Sequence, residues 1–428
     1  MTLAEDFEQF CKEIQLDNLN DMKNQAAKIA KKLNKHYYGI DGDDDSHMYI
    51  VGSVGRGTAI KGSSDLDLIF DLPNDVYKQF DAYKENGQSA LLQDVKKVMQ
   101  ESYPRTTIRG DGQVVVIEFD KYRVELVPGF KQNDGSFKYP DTHDSGSWKY
   151  TNPIIEQKEC SLCNDKSYGV YYDFCHIMRS WKNTIGFKWG GLLIDTLVYN
   201  FFKKNDWFAG KDSNDYLEIL KNLFEYLKNQ DKSHAHWYAL GSNQKIYGSR
   251  NEKFVVKAEK AYKELQDITE ADKKINDVLR SLLGKRFPKI KDRSAEFSTT
   301  EQFIEDFVPV DIRYDLEIDC LVTQDGWRPF KLRKFLQNNT LLRHKKKLTF
   351  FIKDTSNPSQ DYDIWWKVRN VGEVAIERSM TRGQLIRSNE KKQVEHTNFR
   401  GPHYVECYLL EDGICVARDR IEVPIGNE

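Results

Sequence analysis

The chain has 428 residues, of which 39% are hydrophobic, 30% charged and 12% aromatic, which predicts two or three folded domains and excludes both a disordered chain and a small stapled module. Lys plus Arg number 64 against 66 Asp plus Glu, a net charge of -2, so no global positive field exists to hold duplex nucleic acid. Seven cysteines without the dense even spacing of a secreted scaffold, an N-terminus with early acids and no apolar core, and no run of about 18 apolar residues predict a reduced, cytoplasmic protein with no membrane partner.

From Leu3 to Leu33 apolar residues recur at helical spacing (Phe7, Phe10, Ile14, Met22, Ala26, Ile29, Leu33), which predicts an amphipathic N-terminal helical segment. The acidic run Asp41 to Asp45 breaks it as a loop, and Met48 to Val51 begins a short strand. A glycine-rich turn and a second strand follow, then β-rich runs Val114 to Phe119 and Tyr122 to Val127 around Asp120-Lys121, read as a hairpin. After Pro140 helical patterns dominate: Tyr172 to Thr184, Leu192 to Lys203, Tyr216 to Asn229 and Phe254 to Leu283. Gly284 to Pro288 stops the last helix, and Lys289 to Thr300 reads as a polar connector. Beyond it, alternation and turns such as Gln324-Asp325-Gly326 and Glu411-Asp412-Gly413 predict a β-sandwich.

The chemistry concentrates in Gly52-Ser53-Val54-Gly55-Arg56-Gly57-Thr58, followed by Gly62-Ser63-Ser64-Asp65-Leu66-Asp67-Leu68. Glycine and serine after a strand leave backbone N–H groups and a hydroxyl free to approach phosphate oxygens. Asp65 and Asp67, two apart on a strand, leave by the same face while Leu66 and Leu68 point into the core. Paired carboxylates of this kind call for a neutralising cation, and hard oxygen ligands suit Mg2+ or Mn2+. In Arg123-Val124-Glu125-Leu126-Val127-Pro128 alternation puts Glu125 opposite to Val124 and Leu126, so Glu125 is a candidate third ligand. Glu118 on the neighbouring strand is its rival, and Asp120 belongs to the turn.

Gly52-Ser53, Gly57-Thr58 and Ser64-Asp65-Leu66-Asp67 resemble the nucleotidyltransferase signature of the polymerase-β superfamily, and specifically of the cGAS/DncV-like enzymes (CD-NTases). Val124 to Pro128 fits that family's third-carboxylate strand, with Glu125 where Asp is usual. Tyr139-Pro140-Asp141, Trp148 and Asn152-Pro153 match the segment entering its helical domain. Arg179-Ser180-Trp181-Lys182 resembles the helix that supplies a cation to the donor triphosphate, with Arg179 where lysine is usual; for Lys182 a solvated helix position is the equal alternative. Gly191-Leu192, before Asp195, departs from the Ser-Tyr pair of the animal enzymes. Phe307 to Tyr314, Trp366 to Asn370, Arg382-Gly383-Gln384 and Gly401 to Tyr408 resemble the adenylyl/guanylyl and SMODS C-terminal sensor domain (AGS-C).

The resemblance implies an α+β fold: a polymerase-β-like core with its N-terminal helix over 1–150, a helical domain over 151–295 completing it, and an AGS-C-like β-sandwich over 296–428. It implies metal-dependent, template-independent joining of NTPs or dNTPs into a cyclic or linear oligonucleotide signal for anti-phage defence, read by a separate effector protein. Asp65, Asp67 and Glu125 would be catalytic and hold the metal. Gly52, Ser53, Ser64, Asp141, Arg179 and Lys182 would bind nucleotide, and a regulatory ligand or protein would bind the C-terminal domain. An enzyme that modifies a protein or a nucleic-acid end shares the core motifs, and a pure nucleotide-sensing module would be expected to lack a carboxylate. Cys160-x-x-Cys163 with Cys175-His176 matches no common zinc spacing, the run Arg343 to Lys347 reads as a wet loop, and one of Trp365 and Trp366 is expected in the sandwich core.

Overall fold

The computed structural model describes residues 2–119, 121–204, 210–248, 253–289, 301–338, 341–343, 345–357, 359, 361–371, 375, 381–397, 401 and 403–425. Asp120, His344 and the connector from 290 to 300 therefore lie outside the described residues. The fold is α+β, and the chain separates into two compact units, Met1–Arg179 with Gly190–Glu270, and Ser180–Trp189 with Ala271–Glu428.

The first unit is built on a mixed sheet of seven strands: β1 (Met48–Ile50), β2 (Asp65–Asp71), β3 (Ile108–Asp111), β4 (Val114–Glu118), β5 (Arg123–Lys131), β6 (Phe137–Asp141) and β7 (Ser147–Thr151). Its order is β1-β2-β5-β4-β3, with β6 on the far end of β5 and β7 on β6. Only the β2–β5 pairing is parallel among these strands. Alternation decides the faces. Leu66, Leu68, Phe70, Val115, Ile117, Val124 and Leu126 are buried against Met22, Ala26, Ile29 and Leu33 of the helix Leu19–Tyr38 and Leu91, Leu92, Val95 and Met99 of the helix Gly87–Ser102. With helices covering that face, the intervening polar residues of β2 and β5 are left on the other, where the site forms.

The predicted N-terminal segment is two helices, Leu3–Ile14 and Leu19–Tyr38, the first opened by a capping box between Thr2 and Glu5. The predicted helix from Phe254 to Leu283 is also two, Lys253–Leu265 and Ile275–Leu283, because residues 267–273 are too polar to continue a buried stripe. The helices Val170–Ile185, Gly191–Lys204 and Tyr216–Lys228 match the periodicity within two residues at each end.

The second unit contains two four-stranded sheets whose assigned pairings are all antiparallel. One comprises Leu316–Thr323, Phe330–Lys331, Lys347–Thr355 and Lys392–His396; the other Asp363–Asn370, Arg382–Arg387, His403–Glu411 and Ile414–Val423. Ile318, Cys320, Val322, Leu348 and Phe350 meet Trp366, Val368, Val405, Cys407 and Leu409 in one core, a β-sandwich. Trp366 fills that core and its indole N–H donates to the Glu390 carbonyl at 2.9 Å, while Trp365 joins Ile304, Val310 and Ile312 on the opposite face. The units cut across chain order at one helix: Val170–Ile185 lies in the first unit through Arg179 and in the second from Ser180. Among the described residues no helix is long and apolar enough to cross a membrane.

Candidate active site

The parallel register pairs Asp65 with Arg123, Leu66 with Val124 and Asp67 with Glu125. Asp65, Asp67 and Glu125 therefore rise from one face of two adjacent strands, because paired residues and residues two apart share a face. Gly52, at the start of the short helical turn Gly52–Gly55, lies directly against Asp67: its φ is +63°, and a Cβ there would stand 1.7 Å from Asp67 Oδ2. Only glycine permits both the left-handed backbone and the close approach. The turn is tied to the strand by the Val51 N–H donating to the Asp67 carbonyl at 2.9 Å, and is closed by Thr58 and Ala59 N–H groups donating to the Ser53 carbonyl at 2.9 and 3.1 Å. The Ser53 side chain is left half-buried at this edge.

Burial, with repulsion from Glu125 and then Asp65, pushes the Asp67 carboxyl up to about 7 against the opposing pull of Arg56 and Arg123. Surplus negative charge of this kind is what a divalent cation relieves, so the oxygen-only donor set of Asp65, Asp67 and Glu125 fits a hard cation. Two of the three already hold a cation of the chain's own: Arg123 Nε donates to Asp65 Oδ1 at 2.7 Å and its Nη2 contacts Glu125 Oε1 at 2.8 Å. Among the described residues no three acidic, His or Cys side chains are drawn together at metal-ligand spacing. Glu118, across from Arg123 on β4, is paired with Arg109 at 2.7 Å, while Glu125 is the one directly beside Asp67.

Behind the turn lies a buried ionic cluster. Asp195, fully buried, accepts from Arg56 Nε at 2.8 Å, from Arg179 Nη1 and Nη2 at 2.5 and 2.9 Å, and from the Thr58 hydroxyl at 2.9 Å. Burial alone would raise this carboxyl, but the Arg179 and Arg56 guanidiniums overcome it and hold it at about 2. Glu156 stands 3.7 Å from Arg56, Arg179 Nη2 also donates to the Gly191 carbonyl at 3.1 Å, and a ring nitrogen of His176 meets the Gly57 carbonyl at 3.1 Å. The turn from Gly52 to Thr58 is thus fastened to the helices Val170–Ile185 and Gly191–Lys204.

The structure brings together Gly52, Ser53, Asp65, Asp67 and Glu125. Ser64 is buried beside them, its carbonyl accepting the Arg123 N–H at 2.9 Å and so fixing the start of β5. It does not bring Asp141 or Arg179 to the carboxylate face. Asp141, in the β6–β7 hairpin, is paired with Lys149 and with His143 Nδ1 at 2.6 Å, and these partners hold its carboxyl well below the usual range. The guanidinium of Arg179 is taken up by Asp195. Lys182 belongs to the second unit, where its Nζ donates to the Ile312 carbonyl at 2.7 Å and lies 3.6 Å from Asp311. Sequence reasoning gave no role to Arg56, Arg123 or the Asp195 carboxylate.

A glycine turn on a strand that carries alternate acids, beside a parallel strand with a third, is the arrangement of the polymerase-β-like nucleotidyltransferase fold. Residues 1–164 match the Second Messenger Oligonucleotide or Dinucleotide Synthetase domain, and residues 298–426 the Adenylyl/Guanylyl and SMODS C-terminal sensor domain. The chain is a CD-NTase, with a synthetase domain followed by a sensor domain. It is similar to a probable cyclic nucleotide synthase of Bacillus cereus, 22% identical over 195 residues that cover 43% of this chain and 57% of that protein; the match thus spans little more than half of the curated relative's length. Two solved structures of CdnC from Escherichia coli MS115-1 share the fold, one in complex with HORMA-deltaN (TM-score 0.51, 14% identity, 67% of this chain and 98% of that one) and one with ATP (0.51, 15%, 68% and 99%).

Proposed function

We propose that the protein is a template-independent nucleotidyltransferase that joins NTPs or dNTPs into a cyclic or linear oligonucleotide signal. A hydroxyl oxygen forms a new bond to the α-phosphorus of a nucleoside triphosphate as the bond to pyrophosphate breaks, and the hydroxyl proton is lost to water. The observation that carries this reading is the shared face of Asp65, Asp67 and Glu125 with the Gly52 turn packed on Asp67. Asp65, Asp67 and Glu125 would hold Mg2+ or Mn2+, which when bound supplies charge neutralisation of the triphosphate and a lowered pKa for the attacking hydroxyl. Gly52 and Ser53 would receive phosphate oxygens at the turn, and Arg56, Arg179 and Asp195 would keep that turn in place from behind. Ser64 positions β5 through Arg123.

The synthetase and sensor domain matches support this class of product, as does the relative described as a probable cyclic nucleotide synthase. By the same family reading, the product acts in anti-phage defence of the CBASS kind in the cytoplasm, is read by a separate effector protein, and is released under control of a ligand or protein at the sensor sandwich. The test is pyrophosphate release and product mass from purified protein given each labelled NTP and dNTP with Mg2+ or Mn2+. The pair Asp65→Asn with Asp67→Asn should abolish both, and Glu125→Gln should reduce them more than Glu118→Gln. Undiminished synthesis by the double variant defeats the reading.

A further inference from the structure

Arg123 occupies a position that the proposed reaction leaves unexplained. Its guanidinium spans Asp65 and Glu125 through two separate nitrogens, at 2.7 and 2.8 Å, and is itself largely covered. The span follows from register: Arg123 sits beside Asp65 across the parallel pair and two residues before Glu125 on its own strand. Glu118, opposite Arg123 on β4, is engaged by Arg109. One oxygen of each carboxylate, Asp65 Oδ1 and Glu125 Oε1, thus receives an Arg123 nitrogen at the face where a hard cation would sit. A guanidinium held at this distance also repels a divalent ion placed between the same carboxylates. Arg123 and a metal therefore compete for Asp65 and Glu125.

We propose that Arg123 is a resident cation that competes with the divalent metal for Asp65 and Glu125, so that the site binds free metal weakly and loads it together with a nucleoside triphosphate. The triphosphate's anionic oxygens give the displaced guanidinium a new partner, which couples metal and nucleotide binding in the positive sense. The inference rests on the metal role proposed above for the three carboxylates.

The test is Mn2+ binding to the full chain, followed by the loss of the free-ion paramagnetic resonance signal, first without nucleotide and then with a non-hydrolysable NTP analogue. An opposite charge at this range shifts a carboxylate's proton affinity by one to three units, so Arg123→Gln should tighten Mn2+ binding without nucleotide by about tenfold or more. Arg123→Lys, which keeps a charge but loses the two-nitrogen span, should tighten it less, and decides the matter alone if the Gln form does not fold. The analogue should tighten Mn2+ binding more in the natural protein than in Arg123→Gln. Mn2+ affinity that is unchanged or weaker in both variants overturns the proposal while leaving the carboxylate site intact. Mn2+ binding that Asp67→Asn leaves untouched overturns the carboxylate reading itself.

Discussion

Neutralising Asp195 should do more damage than its distance from the reacting face suggests. In the buried cluster, Arg56 and Arg179 carry two positive charges and Asp195 and Glu156 two negative, so the cluster is balanced. Asp195→Asn leaves two buried guanidiniums with one remaining carboxylate, Glu156 at 3.7 Å from Arg56, and turns an acceptor of four hydrogen bonds into an amide whose NH2 opposes Arg donors. Breaking a buried pair in this way costs about 3–5 kcal/mol, a large part of the roughly 5–15 kcal/mol that a domain possesses. For a unit of this size the melting temperature should fall by about 10 °C. Urea denaturation at pH 7 of Asp195→Asn, and of Asp195→Asn with Arg179→Met, measures the effect. The second substitution removes the surplus charge and should recover part of the lost stability. The variant should also bind NTP more weakly, since the turn from Gly52 to Thr58 loses its anchor. A change below about 1 kcal/mol, or a double variant as destabilised as the sum of its parts, would refute the charge-balance argument.

Three other outcomes follow from single contacts. Gly52→Ala places a methyl 1.7 Å from Asp67 Oδ2 at a φ of +63°; Asp67 has to move, and pyrophosphate release should drop by about a hundredfold, as for a ligand displaced by an ångström. Lys182→Met removes the Nζ that serves the Ile312 carbonyl; unfolding of the second unit should become easier by about 1–3 kcal/mol with the NTP KM unchanged, and a raised KM at unchanged stability would contradict this. Burial and then Arg179 push His176 down to about 4 from 6.5, so between those values the unfolded chain takes up a proton that the folded chain refuses. Stability from this group is complete above pH 6.5 and is lost as pH falls through 4, on the order of 3 kcal/mol in all. His176→Gln should flatten that acid slope in urea melts, and comparison at each pH cancels Asp67, which acts in the opposite sense between about 4 and 7.

Alternation made the carboxylate face legible. Leu66, Leu68, Val124 and Leu126 had to turn inward, so Asp65, Asp67 and Glu125 had to turn outward, and period two needs no knowledge of the rest of the chain. The residues that support the face were hidden because they act across long separations: Arg56 meets Asp195 139 positions away and Lys182 meets Ile312 130 positions away. A motif places Arg179 on a helix face, but not the acid that will claim its guanidinium. Arg123 was visible beside Glu125, yet its span depended on which strand would lie parallel to β5. The sandwich announced itself through its turns, whereas the helices Asn74–Asp81 and Gly87–Ser102, with their mixed polar stretches, gave no expectation of their own.

The helix that ends in one unit and begins in the other limits how the chain can be taken apart. Asn183 exchanges hydrogen bonds with the Val310 carbonyl and the Ile312 N–H, Ser180 donates to the Leu283 carbonyl, and Gly186 is so close to Arg418 that a methyl there would strike its backbone. A cut near residue 292 would keep Leu283 with Ser180 but strip Val310, Ile312 and Arg418 from 180–189, and leave that stretch exposed on the piece meant to stand alone. The natural seam for exchanging sensors between synthetases runs through the helix, so a functional graft must carry the residues from Ser180 to Trp189 along with the sandwich or match them at the new joint.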